Sequence, residues 1–286
     1  MTLVSSSAAG IIRPEDIGPL VVEPLQAEST AFQVSRRVTT LSPSFRIPRI
    51  TADTTSEWLN EAESITPSDA TVDELDVIPK ALKVLSKLSN ELVADSTPEA
   101  SEVVGESMAR DLARAIDKAF FANTTVKGPS GLLSLSNIQT VDAGAAFADL
   151  DPFEEAASKL EAVGSKVTAW CASASTCLQL AQLKEFTGTG STSNVPLLSS
   201  DPTQPTRRQI LGAGLWPLPD GVITDGTVWA LDQSKSFVVL RSDVQLEVDR
   251  SFYFGDDATA VRSVVRVGFG WPHEEAVVKI TVESGS

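Results

Sequence analysis

The longest helical pattern of the chain spans residues Thr97–Asn123. Apolar side chains recur there at the 3.6-residue spacing of one helix face, and charged side chains fall largely on the other face. Pro98 suits the first turn of a helix, and Gly128 and Pro129 follow its end. The pattern therefore predicts an amphipathic helix packed on a sheet. The apolar positions are Val104, Met108, Leu112, Ala115, Ile116, Ala119 and Phe120, and the charged positions include Glu106, Arg110, Asp111, Arg114, Asp117 and Lys118.

Alternating apolar and polar positions predict strands on both sides of this helix. Before it, residues 45–50 and 80–88 alternate in this way. Pro48 confines the first of these runs to a sheet edge or a free arm, because proline cannot donate to a ladder. We expect the strands after the helix to supply the sheet beneath it. These strands are predicted over residues 244–248, 261–269 and 278–282.

The connection from Ile50 to Pro79 is strongly acidic. It carries eight Asp or Glu residues and no Lys or Arg. Charge alone favours a solvated acidic loop. The alternative is a projecting hairpin that needs a basic surface on a neighbour. Trp58 lies inside this connection and favours contact, because tryptophan is enriched where interfaces carry their binding energy.

The segment before the first predicted strand, residues 1–44, is rich in Ser, Thr and Pro. Its apolar pieces are short and show too little periodicity to build a core. The composition predicts an arm that lies along another surface.

A compact subdomain is predicted after the long helix, over roughly residues 132–235. Residues 152–163 have the pattern of a helix, Lys166–Ala172 that of a strand and Ser175–Phe186 that of a second helix. This alternation of strand and helix is typical of a small mixed layer. The stretch Gly188–Pro205 is a loop long enough to be functional or mobile.

Composition narrows the classes of function. The chain has 286 residues, of which 42% are hydrophobic, so it can build one large domain or two small ones. Its formal net charge of -15 argues against a general binder of nucleic acid or anionic membranes, because phosphates would be repelled. No apolar run is long enough to cross a bilayer, and the N-terminus lacks the basic start of a secretory signal. We expect a soluble, intracellular protein.

The sequence contains no motif of a known catalytic site. Its one histidine, His273, is favoured as a turn or surface residue, and no G-x-S-x-G motif accompanies it. Cys171 and Cys177 stand six residues apart without nearby histidines, so they are predicted to be ordinary buried thiols rather than zinc ligands. We therefore predict no catalytic, cofactor-binding or metal-binding residues.

The order of these features resembles the major capsid protein of tailed phages, with the Hong Kong 97-type fold. An acidic connection containing Trp58-Leu59-Asn60-Glu61 precedes the long helix with its Asp117, and Gly128-Pro129-Ser130-Gly131-Leu132 follows the helix. Asp257-Ala258-Thr259-Ala260-Val261-Arg262, then Arg266-Val267-Gly268 and a final strand, close the chain. The resemblance covers roughly residues 40–282. It implies an α+β fold with an N-arm, an extended hairpin loop, a long spine helix in a peripheral domain, and an axial domain.

The resemblance also implies a domain organisation and partners. Copies of such a protein would assemble into hexamers and pentamers of an icosahedral phage head that encloses double-stranded DNA in the virion, built in the host cytoplasm without a membrane. A portal and a decoration protein are further implied partners. The implied divisions are an N-arm at 1–44, an extended loop at 45–82, a peripheral domain at 83–131 that returns at 236–286, and an axial domain at 132–235.

The sequence departs from some members of this family in two ways, and each changes what we expect of assembly. Those members carry a long N-terminal scaffolding segment, whereas the arm begins here almost at once, so we expect a separate scaffolding protein or none. Some members cross-link a lysine of the extended loop covalently to a neighbour. No Lys lies between Ile50 and Pro79, so we expect a non-covalent shell.

We hypothesise that the acidic loop of one copy docks on a basic face of the next. The candidate contact residues are Trp58, Glu61, Glu63 and Asp69 on the loop, and Arg110, Arg114, Arg262 and Arg266 on the receiving face.

Three other interpretations remain open from the sequence. An encapsulin-type nanocompartment shares the fold but encloses cargo protein, and the Pro- and Ser-rich arm and acidic loop favour the phage interpretation over it. A hydrolase would use His273 as its base. A soluble carbohydrate- or partner-binding module would form only a small oligomer.

Overall fold

The structure is a computed structural model that describes residues 23–61, 63–91, 99–185, 193, 195–198 and 208–282. Five α-helices are described: α1 Glu23–Glu28, α2 Thr30–Val34, α3 Glu99–Phe121, α4 Asp151–Ala162 and α5 Ala174–Ala181. The strands are β1 Arg36–Thr40, β2 Phe45–Ala52, β3 Thr71–Val77, β4 Lys80–Ser89, β5 Gln139–Asp142, β6 Ala169–Ser173, β7 Gln209–Ile210, β8 Ala213–Leu218, β9 Thr227–Leu231, β10 Phe237–Tyr253, β11 Ala258–Gly270 and β12 Val277–Thr281. No described helix is both long and apolar enough to span a membrane.

One sheet has four strands in the order β1-β10-β11-β4. β10 and β11 form a long antiparallel pair, β4 runs antiparallel to β11, and β1 runs parallel to β10. The side chains of β11 alternate between its two faces. Val265, Val267 and Phe269 face the long helix α3 and belong to the largest apolar cluster, so this sheet does lie beneath the helix, as its sequence pattern predicted.

The second sheet has six strands in the order β5-β12-β9-β6-β8-β7. Its strand β12 corrects one prediction, which placed the run at 278–282 in the sheet under the long helix. β12 instead pairs with β5 and β9. Alternation alone cannot distinguish the two sheets, because it predicts that one face of a strand is buried but not which strands are its partners.

The predicted helix over Ser175–Phe186 ends earlier, at Ala181. The chain turns there because residues 183–185 pair with a later segment. The Glu185 amide donates to the Val195 carbonyl at 3.1 Å, and the Leu197 amide donates to the Leu183 carbonyl at 2.9 Å. Most of the predicted Gly188–Pro205 loop lies outside the described residues.

Helix α3 joins the two sheets through its apolar face. Leu112, Ile116 and Phe120 are buried in one cluster with side chains of both sheets. Phe120 makes edge-on contact with Phe269 of the four-stranded sheet, with ring centroids 5.1 Å apart. Trp229 of the six-stranded sheet lies in the same cluster. The predicted amphipathic helix is thereby confirmed between Glu99 and Phe121.

The segment predicted as an arm without a core, residues 1–44, is partly folded into the body. Within its described part, α1, α2 and β1 follow one another, and Leu25, Phe32 and Val34 are almost completely buried against α3. The helices have only six and five residues, too few to show a periodicity in the sequence. The prediction that this segment contributes nothing to a core is therefore wrong for residues 25–34, and its role as an arm stays a prediction.

Asp117 requires a further correction, because the sequence pattern placed it on the charged face of α3. Its side chain is only 4% exposed. One carboxylate oxygen accepts from the Ser29 hydroxyl at 2.6 Å and the Ala31 amide at 2.9 Å, and the other accepts from the Thr30 amide at 3.0 Å. The carboxylate thus satisfies the first amides of α2, which have no partner within that helix. Burial raises the pKa of Asp117, and these three hydrogen bonds oppose the shift.

Replacing Asp117 with Ala should lower the free energy of unfolding by about 3 kcal/mol, because two buried donors and one part-buried donor lose their acceptor. Urea unfolding followed by circular dichroism measures the change. Asp111→Ala is the matched control, since Asp111 is exposed on the same helix and should shift stability by no more than about 0.5 kcal/mol. Equal stability of the two variants would contradict the anchoring role of Asp117.

Candidate assembly surface

The acidic connection folds as a projecting hairpin, one of the two interpretations left open by its charge. β2 and β3 pair antiparallel from Phe45 opposite Val77 to Ala52 opposite Thr71. Two arginines of β2 pair with acids of β3 across the hairpin. Arg49 contacts Asp73 at 2.5 Å, and Arg46 contacts Glu74 at 3.3 Å and Asp76 at 3.2 Å. These exposed pairs add little stability singly, but they offset two of the three negative charges next to the body.

The base of the hairpin packs on the face of the four-stranded sheet that points away from α3. Ile47 and Val77 form a small apolar cluster with Val239 of β10, whereas Val238 and Leu240 point into the core on the other face. The contact is close because β11 offers a glycine there. A β-carbon at Gly270 would lie 2.7 Å from Val77 Cγ2 and 2.9 Å from Ile47 Cδ1.

The tip of the hairpin, residues 53–70, carries all four loop residues predicted to make contact. Trp58, Glu61, Glu63 and Asp69 are all exposed, and Trp58 has 104% of its reference surface accessible. The described residues of the tip form local turns, which side-chain hydrogen bonds to backbone amides stabilise. Glu63 accepts from the Asn60 amide at 2.8 Å, which lowers the pKa of the Glu63 carboxyl. Glu57 accepts from the Thr66 amide at 2.9 Å.

Charge is distributed unevenly along the hairpin. Three of its eight acids, Asp73, Glu74 and Asp76, pair with arginines at the base. The other five lie in the tip, and within the described residues none of them forms an ion pair. They are Asp53, Glu57, Glu61, Glu63 and Asp69. Unpaired negative charge is therefore concentrated where the hairpin is most exposed.

The four arginines predicted as one receiving face lie on two faces. Arg110 and Arg114 are exposed on α3. Arg262 and Arg266 lie on β11 at positions that alternate with Val265 and Val267, so they point away from α3, toward the side of the hairpin base. Arg262 already pairs with Glu247 of β10, and Arg266 is half-buried and also has a partner. The structure brings the two pairs of arginines to different surfaces.

The groups that could support catalysis do not converge. Cys171 and Cys177 are buried free thiols, as predicted. Burial raises the pKa of Cys177 to about 11, and it also raises the pKa of Cys171. His273 is exposed, and within the described residues it makes no side-chain hydrogen bond to a nucleophile. Partial burial lowers the pKa of His273, with smaller contributions from Lys235 and Arg49. The described residues contain no group of three His, Cys, Asp or Glu side chains that could hold a metal ion.

A family model described as the phage capsid family matches residues 9–282. The chain belongs to the phage capsid family. This family consists of structural shell proteins, so the chain is a shell protein and not an enzyme. A comparison with curated proteins found no match.

Solved structures of phage and GTA capsid chains share the fold of this chain. The capsid of an empty GTA particle is 17% identical over 99% of this chain and 94% of its own, with a TM-score of 0.72. A chain of Mycobacterium phage Adephagia is 14% identical over 97% and 100%, with a TM-score of 0.71. A chain of Microbacterium phage Oxtober96 is 17% identical over 98% and 96%, with a TM-score of 0.69. The predicted α+β, Hong Kong 97-type capsid fold is thus confirmed.

The attachment of the hairpin gives a direct test. Gly270→Ala should force the hairpin base to shift and should cost about 1–3 kcal/mol of stability, because the new methyl group meets Val77 and Ile47. Urea unfolding measures the cost, and limited proteolysis within residues 53–70 reports whether the hairpin is released. Gly255→Ala is the control, since a β-carbon there meets no atom within 4 Å. Indistinguishable proteolysis of the two variants would contradict the packing role of Gly270.

Proposed function

We propose that this chain is a major capsid protein that self-assembles into hexamers and pentamers of an icosahedral phage head enclosing double-stranded DNA. The observation that carries the proposal is the hairpin. The acids at its base are paired with arginines and the base is packed on the sheet, while its tip exposes Trp58 among unpaired acids. An exposed, ordered tip of this kind does not stabilise a monomer in water. A closed shell presents a neighbouring copy to every tip.

The divisions implied by the sequence are part of this proposal with two changes. β12, from the implied peripheral segment 236–286, pairs in the six-stranded sheet, and β1, from the implied N-arm 1–44, pairs in the four-stranded sheet. Helix α3 and the four-stranded sheet would form the peripheral domain with α3 as its spine, and the six-stranded sheet with α4 and α5 would form the axial domain. Helices α1 and α2 support this assignment by tying the N-terminal segment to α3 through Asp117. The rest of that segment would act as the N-arm.

The inner surface of the shell would enclose DNA without binding it tightly. The net charge of -15 disfavours tight contact with phosphates, which suits a container wall. A separate scaffolding protein, a portal and a decoration protein are the further partners of this proposal, with assembly in the host cytoplasm and a final place in the virion.

Purified particles test whether the protein forms closed shells and whether these shells contain DNA. The expressed protein, alone or with its scaffolding protein, should form closed shells in negative-stain micrographs and a large species by light scattering. Particles from infected cells should protect double-stranded DNA from nuclease. Shells filled with a protein cargo instead of DNA would favour an encapsulin-type compartment, and a chain that stays monomeric under every condition would overturn the proposal.

Charge reversal at the tip should impair assembly without unfolding the subunit. We expect Glu61→Lys with Glu63→Lys to raise the subunit concentration needed for shells by about tenfold, because an attraction repeated at every contact becomes a repulsion. Glu63 also accepts a hydrogen bond from the Asn60 amide. Glu61→Lys alone therefore tests the charge without breaking a described hydrogen bond.

The matched control reverses two exposed acids of α4, Glu154→Lys with Glu161→Lys, and changes the net charge equally. Light scattering measures assembly, and circular dichroism checks folding. Normal shells from both tip variants would refute docking through the acidic tip.

A further inference from the structure

A groove of about 460 Å³ lies on the α3 side of the four-stranded sheet. Its floor is apolar, formed by Ile116 and Ala119 of α3, Leu82 of β4 and Phe269 of β11. The turn after α3 closes one end, where Val126 is 88% exposed. The groove opens beside β4, which lies at the edge of the sheet because β11 is its one partner among the described strands.

Three lysines line the groove. Lys80 lies at the start of β4, Lys118 in the last turn of α3 and Lys127 in the turn after it. All three are exposed, and within the described residues none of them forms an ion pair. Lys127 has a φ of 60°, a left-handed conformation that lysine adopts at some cost. The result is an apolar depression with an uncompensated positive rim.

The hairpin tip has the complementary character. Trp58 is fully exposed, and it is flanked by Leu59 and by the unpaired acids Glu57 and Glu61. A tryptophan side chain buries about 150–250 Å² when it is covered, and such anchors dominate interfaces. The groove can take a side chain of this size. Its three lysines oppose the acids of the tip in sign.

The tip and the groove of one copy lie on different sides of the molecule. The hairpin base packs on the sheet face that carries Val239, and the groove lies on the opposite face, under α3. Trp58 is not covered by any part of its own described chain. Occupation of the groove by a tip therefore requires a second copy.

We infer that the groove between α3, β4 and the 125–129 turn receives Trp58 from the hairpin tip of a neighbouring copy, with Lys80, Lys118 and Lys127 facing the tip acids. This inference rests on the proposed function, since it names the receiving site of the shell contact. It replaces the arginines Arg110, Arg114, Arg262 and Arg266 as the principal partners of the tip.

Groove variants test the site through assembly. Lys118→Glu with Lys127→Glu should raise the subunit concentration needed for shell formation by about tenfold or more. Lys83→Glu with Lys166→Glu is the matched control, because both lysines are exposed, have no described ion pair and lie outside the groove. Lys127→Gly removes one charge while suiting the left-handed backbone, so it should weaken assembly with no loss of thermal stability.

Cross-linking tests the occupant. Leu59→Cys combined with Val126→Cys should give a ladder of covalent oligomers with a short bismaleimide, seen in denaturing gels of assembled shells. Leu59→Cys combined with Leu178→Cys is the control, since Leu178 is exposed on α5 of the other sheet and should give no ladder. The native Cys171 and Cys177 are buried and should not react.

The outcomes separate this inference from the proposed function. Wild-type protein that forms no shells overturns the function itself. Wild-type shells together with normal assembly of the groove variants overturn the receiving site. Impaired groove variants without a Leu59–Val126 ladder show that another partner occupies the groove, and they overturn the hairpin as its occupant. Impaired assembly with a specific ladder supports the inference.

Discussion

The burial of the apolar face of α3 is the constraint on which the rest of the structure depends. Phe120 contacts Phe269 of one sheet edge-on, and it shares a cluster with Trp229 of the other sheet. A single helix therefore fixes the position of both sheets. The same helix carries Asp117, whose carboxylate anchors α2 from the N-terminal segment. Because a carboxylate without partners is costly to bury, this anchor is specific to a segment that can offer three donors.

The hairpin differs from the buried Asp117, because the acids of its tip are exposed and have no ion-pair partner within the described residues. At its base, Arg46 and Arg49 compensate the acids of β3, so the strands can pair close to the body. The tip keeps its acids uncompensated and its tryptophan uncovered. A charge distribution of this kind adds nothing to the stability of the monomer, since like charges at the tip repel. It becomes useful only against a positive apolar surface, and such a surface exists on the far side of the same molecule.

Regular elements with a strong period were predictable from the sequence, and short or paired ones were not. The helix at Glu99–Phe121 and the strand at Ala258–Gly270 follow from spacing alone. Helices α1 and α2 are too short to show a period, and the burial of Asp117 depends on donors 86 to 88 residues away. The exposure of the tip residues was predictable because charge and exposure are properties of one segment, and their contact with a neighbour stays a prediction. The groove proposed to receive them could not be predicted, since Lys80 and Lys118 meet only after a sheet and a helix have packed together.

Charge and apolar burial would have different tasks in the contact between copies. Exposed ion pairs contribute only about 0–1 kcal/mol each and weaken with salt, so they orient an approaching tip more than they hold it. Burial of Trp58 would supply most of the affinity of each contact. A contact of this moderate strength can dissociate when it forms in a wrong register, and its effect multiplies when many copies close a shell. The absence of lysine between Ile50 and Pro79 fits this logic, because a tip without cations cannot repel a rim of lysines.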